Sequence, residues 1–507
     1  MATFTGESAN SPCYPRRMSA SPAPRSETPF EGLLIGGERR EGSSGEQRLL
    51  VNPADGEPLA RVAQATVEDV DRAARLAEEC YRTDWRRRMP RERAAILFRV
   101  AELIRQHGDE LALIESRNVG KPLGAAKSEI LSGADCFEYY AGAVTKLGGE
   151  TIPVSARGAC LTFREPIGVC TAIVPWNFPF AITTWKVAPA LAMGNTVLVK
   201  PASDTPLSAL RLGELAREAG VPAAALQVLP GPGGSIGAAL VRHPAVRKIS
   251  FTGSTEAGRE VMRLAADGIK RVSLELGGKS ACIVFEDVDL EACLSSALWS
   301  VFDNAGQDCC ARSRFLIQRS IYDRFVADLA ARTEAIRVGD PAASGTEMGP
   351  LITRAHRDKV VGYVELGGHE GAERLCGGAP PSDPTLSRGN FLKPAVFARV
   401  RNDMRIAQEE IFGPVVVAIP FDSEEEAIAI ANASSYGLSG SLWTRDLGRA
   451  LRVARSVETG VLSVNSSRSV FVEAPFGGVK QSGLGRELGM AALEAYSELK
   501  SVFFSEE

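Results

Sequence analysis

From Gly168 onward, short runs rich in β-branched residues alternate with segments of helical periodicity, and this rhythm limits the possible folds more than any other feature. The runs Gly168 to Pro175, Thr196 to Lys200 and Lys248 to Thr252 come first. The pattern restarts after Lys279 with Ala281 to Phe285, a helical 290–303 and Phe315 to Gln318. Strands separated by helices pair in parallel, because each crossover returns the chain to the same end of the sheet. Two α/β units are therefore predicted, as suits 507 residues, which exceed what one core comfortably serves.

Upstream, apolar residues recur at helical spacing between arginine-rich faces from Val70 to His107, and a second helical stretch runs from about Ala125 to Thr145. Residues 1 to about 30 are rich in Ser, Pro and Arg without apolar periodicity, so a disordered tail is expected there. At the other end, Ala491 to Phe504 reads as a helix followed by a strand, Lys500 to Phe504, with nothing after it to pair against. Such an edge invites pairing between subunits.

Composition removes several classes of function. Hydrophobic residues make up 45% and charged residues 24%, the mixture of a globular protein with a substantial core. Lys and Arg total 58 against 62 Asp and Glu, with no basic stripe, so nucleic acid is not an expected partner. The longest apolar runs, such as Val415 to Pro420, are far too short to cross a bilayer, and no membrane is expected. Ten cysteines without framework spacing suggest a reducing cytoplasm. Four histidines leave little material for a multi-histidine metal site or a Ser/His/Asp hydrolase, and no metal is expected.

Two local patterns carry chemistry. Phe251-Thr252-Gly253-Ser254 ends a β-run and opens a helical segment that reaches Gly258. Free amides and the helix dipole at Ser254 could there hold a pyrophosphate, so a dinucleotide fits, although a glycine pair before a helix is also an ordinary tight turn. Cys309 lies in the polar, glycine-containing turn Gly306-Gln307-Asp308-Cys309, where a thiol can be accessible. Cys282 and Cys293, in apolar strand- and helix-like settings, read as buried hydrophobes.

The order Pro175-Trp176-Asn177-Phe178-Pro179, Leu274-Glu275-Leu276-Gly277-Gly278, Gly306-Gln307-Asp308-Cys309 and Glu409-Glu410-Ile411-Phe412-Gly413-Pro414 resembles the aldehyde dehydrogenase superfamily. The resemblance spans roughly residues 30 to 505 and ends in Pro475-Phe476-Gly477-Gly478. It implies that Cys309 is the nucleophile, that Asn177 and the Cys309 amide hold the oxyanion, and that Glu275 activates the water that hydrolyses a thioester. Because relatives that pass the acyl group to coenzyme A tend to lack the acid at Glu275, release of a free carboxylic acid is expected.

For the cofactor, NAD or NADP, the resemblance places Lys200 near the adenosine ribose and Glu410 at the nicotinamide ribose, with Trp176, Gly233, Gly253, Ser254 and Phe412 as neighbours. Many NAD-preferring relatives carry a glutamate three residues after the lysine, where this chain has Ser203. A carboxylate would repel a 2′-phosphate and serine would not, so NADP should be tolerated.

On the substrate side, Phe178, Trp185, Phe471 and Phe476 are candidates for an aromatic tunnel suited to apolar or cationic aldehydes. Relatives specific for succinate semialdehyde tend to carry arginine at the position of Trp185. Asp308 before the cysteine resembles aminobutyraldehyde dehydrogenases and favours an amino or trimethylammonium group, whereas Arg468 in the tunnel loop argues for the opposite charge. Alternatives are a broad aliphatic or aromatic aldehyde specificity, or a succinate-semialdehyde type.

The fold implied is a doubly wound, Rossmann-like cofactor domain (31–143 and 167–277), a second α/β catalytic domain (278–481) and a β oligomerisation segment (144–166 and 482–507). That segment implies a homodimer or homotetramer.

Overall fold

The protein, a computed structural model, is described from residue 28 to residue 507. Most of the expected N-terminal tail therefore lies outside the described residues. Phe30–Glu31, at its end, is already a strand, paired in parallel with Pro58–Ala63.

The first large sheet is built on five parallel strands in the spatial order Arg271–Glu275, Val246–Thr252, Val169–Ile173, Thr196–Lys200 and Leu226–Val228. In sequence, the chain starts at Val169–Ile173, moves outward through two strands, then returns to the other side of its starting strand. The crevice between Val169–Ile173 and Val246–Thr252 is thus a topological switch point, where an open α/β sheet presents a ligand site at its carboxyl edge. Antiparallel strands flank this core, Leu33–Ile35 and Glu38–Arg40 on one side and Gly483–Leu484 on the other.

The second sheet runs Glu373–Cys376, Ala395–Ala398, Val415–Phe421, Arg314–Gln318, Ala281–Val284, Gly440–Trp443 and Ser463–Val464, parallel except for its first strand. Its central strands are almost wholly buried, which is why they read as continuous Val, Ile and Phe runs rather than alternating ones. The α/β reading of the sequence is correct for both bodies.

Several boundaries differ from the sequence reading. The single helical stretch expected from Val70 to His107 is two helices, Val67–Thr83 and Pro90–Gln106. Pro90 explains the break, since proline lacks the N–H of a helix interior but suits the first turn. Upstream, Thr66 and Asp69 form a capping box that fixes the first start. The segment grouped as 482–507 also divides. Gly483–Leu484 joins the first sheet antiparallel to Arg271–Glu275. A side chain at Gly483 would stand 2.2 Å from the Leu274 carbonyl, so glycine is what lets this strand close in. Ala492 and Leu493 then bury in the same core as Phe180. Only Ser497–Ser505 leaves it, pairing antiparallel with Gly158–Pro166, which in turn pairs with Thr151–Ile152.

The terminal strand is therefore paired on one side and lies at the edge of a three-stranded sheet. Leu499, Phe503 and Phe504 on it are exposed, as is Phe163 opposite. Among the described residues no helix is long and apolar enough to cross a membrane.

Candidate active site

A cavity of about 490 Å³ opens at the carboxyl edge of the first sheet and is closed by the second body. Trp176, Asn177, Lys200, Ser203, Gly233, Gly253, Ser254, Glu275, Cys309, Glu410 and Phe412 all line it, so eleven residues of the predicted motifs meet in one cavity.

Each motif has a local reason to be there. Glu275 is the last residue of the strand Arg271–Glu275, so the strand end delivers its carboxylate to the crevice. Both oxygens are buried without a hydrogen-bond partner. Burial first, and the negative Glu487 second, push this carboxyl up to about 8, with Lys186 and the Cys309 thiol pulling the other way. Gly277 and Gly278 follow because no side chain fits. A Cβ at Gly277 would lie 2.2 Å from Glu410, and one at Gly278 would lie 2.6 Å from the Cys309 carbonyl. That close approach lets the Gly278 N–H donate to Glu410 Oε1 at 3.1 Å.

Cys309 is presented by an unusual turn. Asn304, Ala305 and Gly306 all have positive φ, at 48°, 57° and 70°. Left-handed backbone at Asn304 and Ala305 is strained, and the surroundings must hold it. At Gly306 a Cβ would meet the Gly413 carbonyl at 2.2 Å, so glycine is required there. The turn leaves the Cys309 N–H without an acceptor among the described residues. Asn177 donates one N–H of its side-chain amide to the Gln307 carbonyl at 2.9 Å and keeps the other free. Two donors without an acceptor among the described residues, the Cys309 N–H and one Asn177 N–H, therefore belong to residues that line the same cavity. The thiol itself is held well above its ordinary pKa by Cys310, by burial and by the carboxylates Glu275 and Asp308. Asp308, Cys309 and Cys310 bring their ligand-type atoms within 4.8 Å of one another.

The opposite end of the cavity suits a dinucleotide. Ser254 caps the helix Thr255–Ala266, its hydroxyl accepting the Ala257 N–H, and the first amides of that helix face the crevice edge. Lys200 is buried, which lowers it to about 8, with Asp204 raising it in part. Ser203 spends its hydroxyl on the Gly231 carbonyl at 3.2 Å, and the neighbouring Asp204 is paired with Arg48 at 2.5 Å. Glu410 is pushed up to about 7 by burial.

The aldehyde dehydrogenase family model matches residues 40–502. The chain belongs to the aldehyde dehydrogenase family. An aldehyde dehydrogenase from Bacillus cereus, solved as its NAD+ complex, is similar at 41% identity and a TM-score of 0.92, covering 94% of this chain and 97% of its own. PnpE from Pseudomonas sp. WBC-3 matches at 41% identity and a TM-score of 0.92, over 94% and 98%. A Staphylococcus aureus betaine aldehyde dehydrogenase in complex with NAD+ matches at 37% identity and a TM-score of 0.92, over 93% and 94%. The protein is thus an aldehyde-oxidising enzyme of this family.

Within this aldehyde dehydrogenase the proposed substrate residues separate into two groups. Trp185 and Phe476 are buried together, ring centroids 5.4 Å apart at 62°, and Phe178 packs against the same core. Arg468 and Phe471 do not join them. Arg468 stacks on Phe471 at 4.8 Å, and both line a wide outer groove of about 1140 Å³ with Leu131, Tyr139 and Met490. Asp308 accepts the Cys310 N–H at 2.9 Å, so one of its oxygens is spent on the turn itself.

Sequence reasoning missed several participants. His356 and Lys359 line the cavity; the His356 Nε2–H donates to the Phe412 carbonyl at 2.7 Å, and its ring stands edge-on to Trp176. Behind Glu275, Lys186 pairs with Glu487, and Ser250 donates to the same carboxylate at 3.0 Å. Lys186 and Glu487 are 301 positions apart, and neither belongs to a motif that local spacing would flag.

Proposed function

We propose that this enzyme oxidises an aldehyde to a free carboxylic acid with NAD or NADP, through covalent intermediates on Cys309. The observation that carries the reading is the convergence on one cavity of a thiol, two N–H groups without acceptors and a buried carboxylate without a partner. Cys309 adds to the carbonyl carbon, and the negative charge that develops on oxygen is met by the Cys309 and Asn177 N–H groups. Glu275, its pKa raised by burial, takes the proton of the incoming water in its ionised form when the thioester is cleaved.

The residues fit a nicotinamide dinucleotide, because Gly277 and Gly278 clear the wall and the helix beginning at Thr255 offers its amides. Bound there, such a group supplies the hydride acceptor. Glu410 would hold the ribose beside the nicotinamide, Lys200 the adenosine ribose, and Trp176 and Phe412 would bracket the dinucleotide. Ser203 places no carboxylate at the 2′-position, and Arg48 neutralises Asp204 next to it. NADP should therefore be accepted as well as NAD.

For the substrate, the aromatic set Phe178, Trp185 and Phe476 supports neutral aliphatic or aromatic aldehydes. Asp308 supports an ω-amino or betaine-type aldehyde, in line with the likeness to a betaine aldehyde dehydrogenase, but its hydrogen bond to Cys310 weighs toward the neutral class. An assay of alkanals, benzaldehyde, aminobutyraldehyde, betaine aldehyde and succinate semialdehyde ranks these readings. Activity confined to the cationic pair would reverse the order, and Cys309→Ala should be inactive with every member. The projection built by Thr151–Ile152, Gly158–Pro166 and Ser497–Ser505 supports a homodimer or homotetramer, which light scattering on the purified enzyme would measure.

A further inference from the structure

Directly behind the oxyanion donor lies a second buried charge cluster that no motif announced. Lys121 follows the helix Gly108–Val119, and Glu115 and Glu129 come from that helix and from Leu123–Ala143. The Lys121 side chain is 1% exposed and that of Glu129 5%. An ammonium so far from water must earn its place through its partners.

Those partners lie along the segment that carries Asn177. Lys121 Nζ pairs with Glu129 and donates to the Asn177 carbonyl at 3.0 Å. It also stands 4.3 Å from the Phe178 ring. Glu129 Oε1 accepts the Ala181 N–H at 3.1 Å, and Glu115 Oε1 accepts the Phe180 N–H at 3.3 Å. These last two amides belong to the first turn of the helix Pro179–Ala192, where no intrahelical acceptor exists. On its other side the Asn177 carbonyl accepts from Asn304 Nδ2 at 3.0 Å, and that amide also reaches the Gln307 carbonyl at 3.2 Å. One carbonyl is thus gripped by Lys121 from behind and by the Cys309 turn from in front.

We infer that the Lys121–Glu129 pair is the positioning device of the oxyanion pocket, fixing the backbone of Asn177 so that its free side-chain N–H stays aligned with the Cys309 N–H. Lys121 touches no reacting atom; it acts through Asn177. Four contacts hold residues 177, 178, 180 and 181. Burial pushes Glu115 up to about 8, with Glu129 adding to the rise.

The inference rests on Asn177 being an oxyanion donor, and the experiment separates the two. In the full-length enzyme, Lys121→Met, Lys121→Arg, Glu129→Gln and Asn177→Ala are compared for kcat/KM, for NAD Kd by fluorescence, and for the rate of Cys309 alkylation by iodoacetamide, which needs no oxyanion pocket. Expected for Lys121→Met is a fall in kcat/KM of about 30-fold or more, approaching the roughly 100-fold cost of losing one oxyanion donor. Its NAD Kd and alkylation rate should stay within about threefold of wild type, and Lys121→Arg should recover part of the loss. Glu129→Gln, which keeps an acceptor for Ala181, should give a smaller fall of the same kind and serves alone if Lys121→Met does not fold. If Asn177→Ala cripples turnover while Lys121→Met and Glu129→Gln turn over within twofold of wild type, the positioning role is overturned and the donor role stands. A parallel loss of NAD binding, thiol reactivity and turnover would also overturn it, as general disorder. If Asn177→Ala itself retains activity, the donor reading has failed first.

Discussion

Two buried carboxylates, Glu275 at the end of a first-sheet strand and Glu487 in the loop after Gly483–Leu484, are treated in opposite ways. Glu275 is 2% exposed, and neither of its oxygens has a hydrogen-bond partner. Glu487, 7% exposed, is paired with Lys186 and bonded by Ser250. Both are buried, so burial alone does not explain the contrast. An acid given a cation and a hydroxyl is tied into the structure, whereas an acid given neither is raised in pKa by burial and can exchange a proton with whatever enters the cavity. The negative charge of Glu487 is itself one cause of the high pKa of Glu275. The paired acid therefore tunes the unpaired one.

The largest expected effect comes from removing the unpaired group. Glu275→Gln should slow steady-state turnover by about 10³-fold while a stoichiometric burst of reduced cofactor survives, since acylation does not need the water. Rapid-quench detection of an accumulating acyl-enzyme would check this, and loss of the burst together with turnover would remove Glu275 from the hydrolytic step. In the wild-type enzyme, a base with a raised pKa is active only when deprotonated, so hydrolysis should rise with pH and level off above about 8. A profile already flat at pH 6 would contradict the environment described for Glu275.

Away from both acids, Ser203→Glu should lower kcat/KM for NADP by roughly 10- to 100-fold and change that for NAD only slightly, through repulsion of the 2′-phosphate. Equal losses with both cofactors would place residue 203 outside the adenosine end. The smallest effect sharpens the comparison most. Glu487→Gln removes a charge that raises the Glu275 pKa and leaves Lys186, which lowers it, uncompensated. The rising limb should then move to lower pH by about one unit. Movement in the opposite direction would show that the two acids are not coupled as their surroundings indicate.

How much of this was legible beforehand depended on range along the chain. Glycines announce themselves, because Gly277, Gly278 and Gly306 sit where a Cβ would strike a neighbour, and they frame the nucleophile within a few residues of sequence. The parallel strands were legible as β-branched runs because both of their faces are buried. Lys121, Lys186 and Glu487 were not, since a lone charged residue in a helix or loop reads as solvated until the fold buries it. Arg468 shows the converse error. Its place in the chain near Phe471 and Phe476 grouped it with the tunnel, but the loop turns between them, so that Phe476 is buried against Trp185 while Arg468 and Phe471 face the outer groove. The terminal segment divided for a similar reason, Gly483 entering the first sheet before Ser497–Ser505 departs from it.

By itself the sequence determined the two α/β bodies and, through a resemblance, named a candidate nucleophile with its candidate partners. These follow from periodicity and from residues close together in the chain, whose geometry the backbone already constrains. Only the tertiary structure decided which charges are buried and whom they face. Lys186 reaches Glu487 across 301 positions and Lys121 reaches the Asn177 carbonyl across 56. The electrostatics of a site depend on distance and solvent exclusion in space, and neither is written in the spacing of residues along a chain.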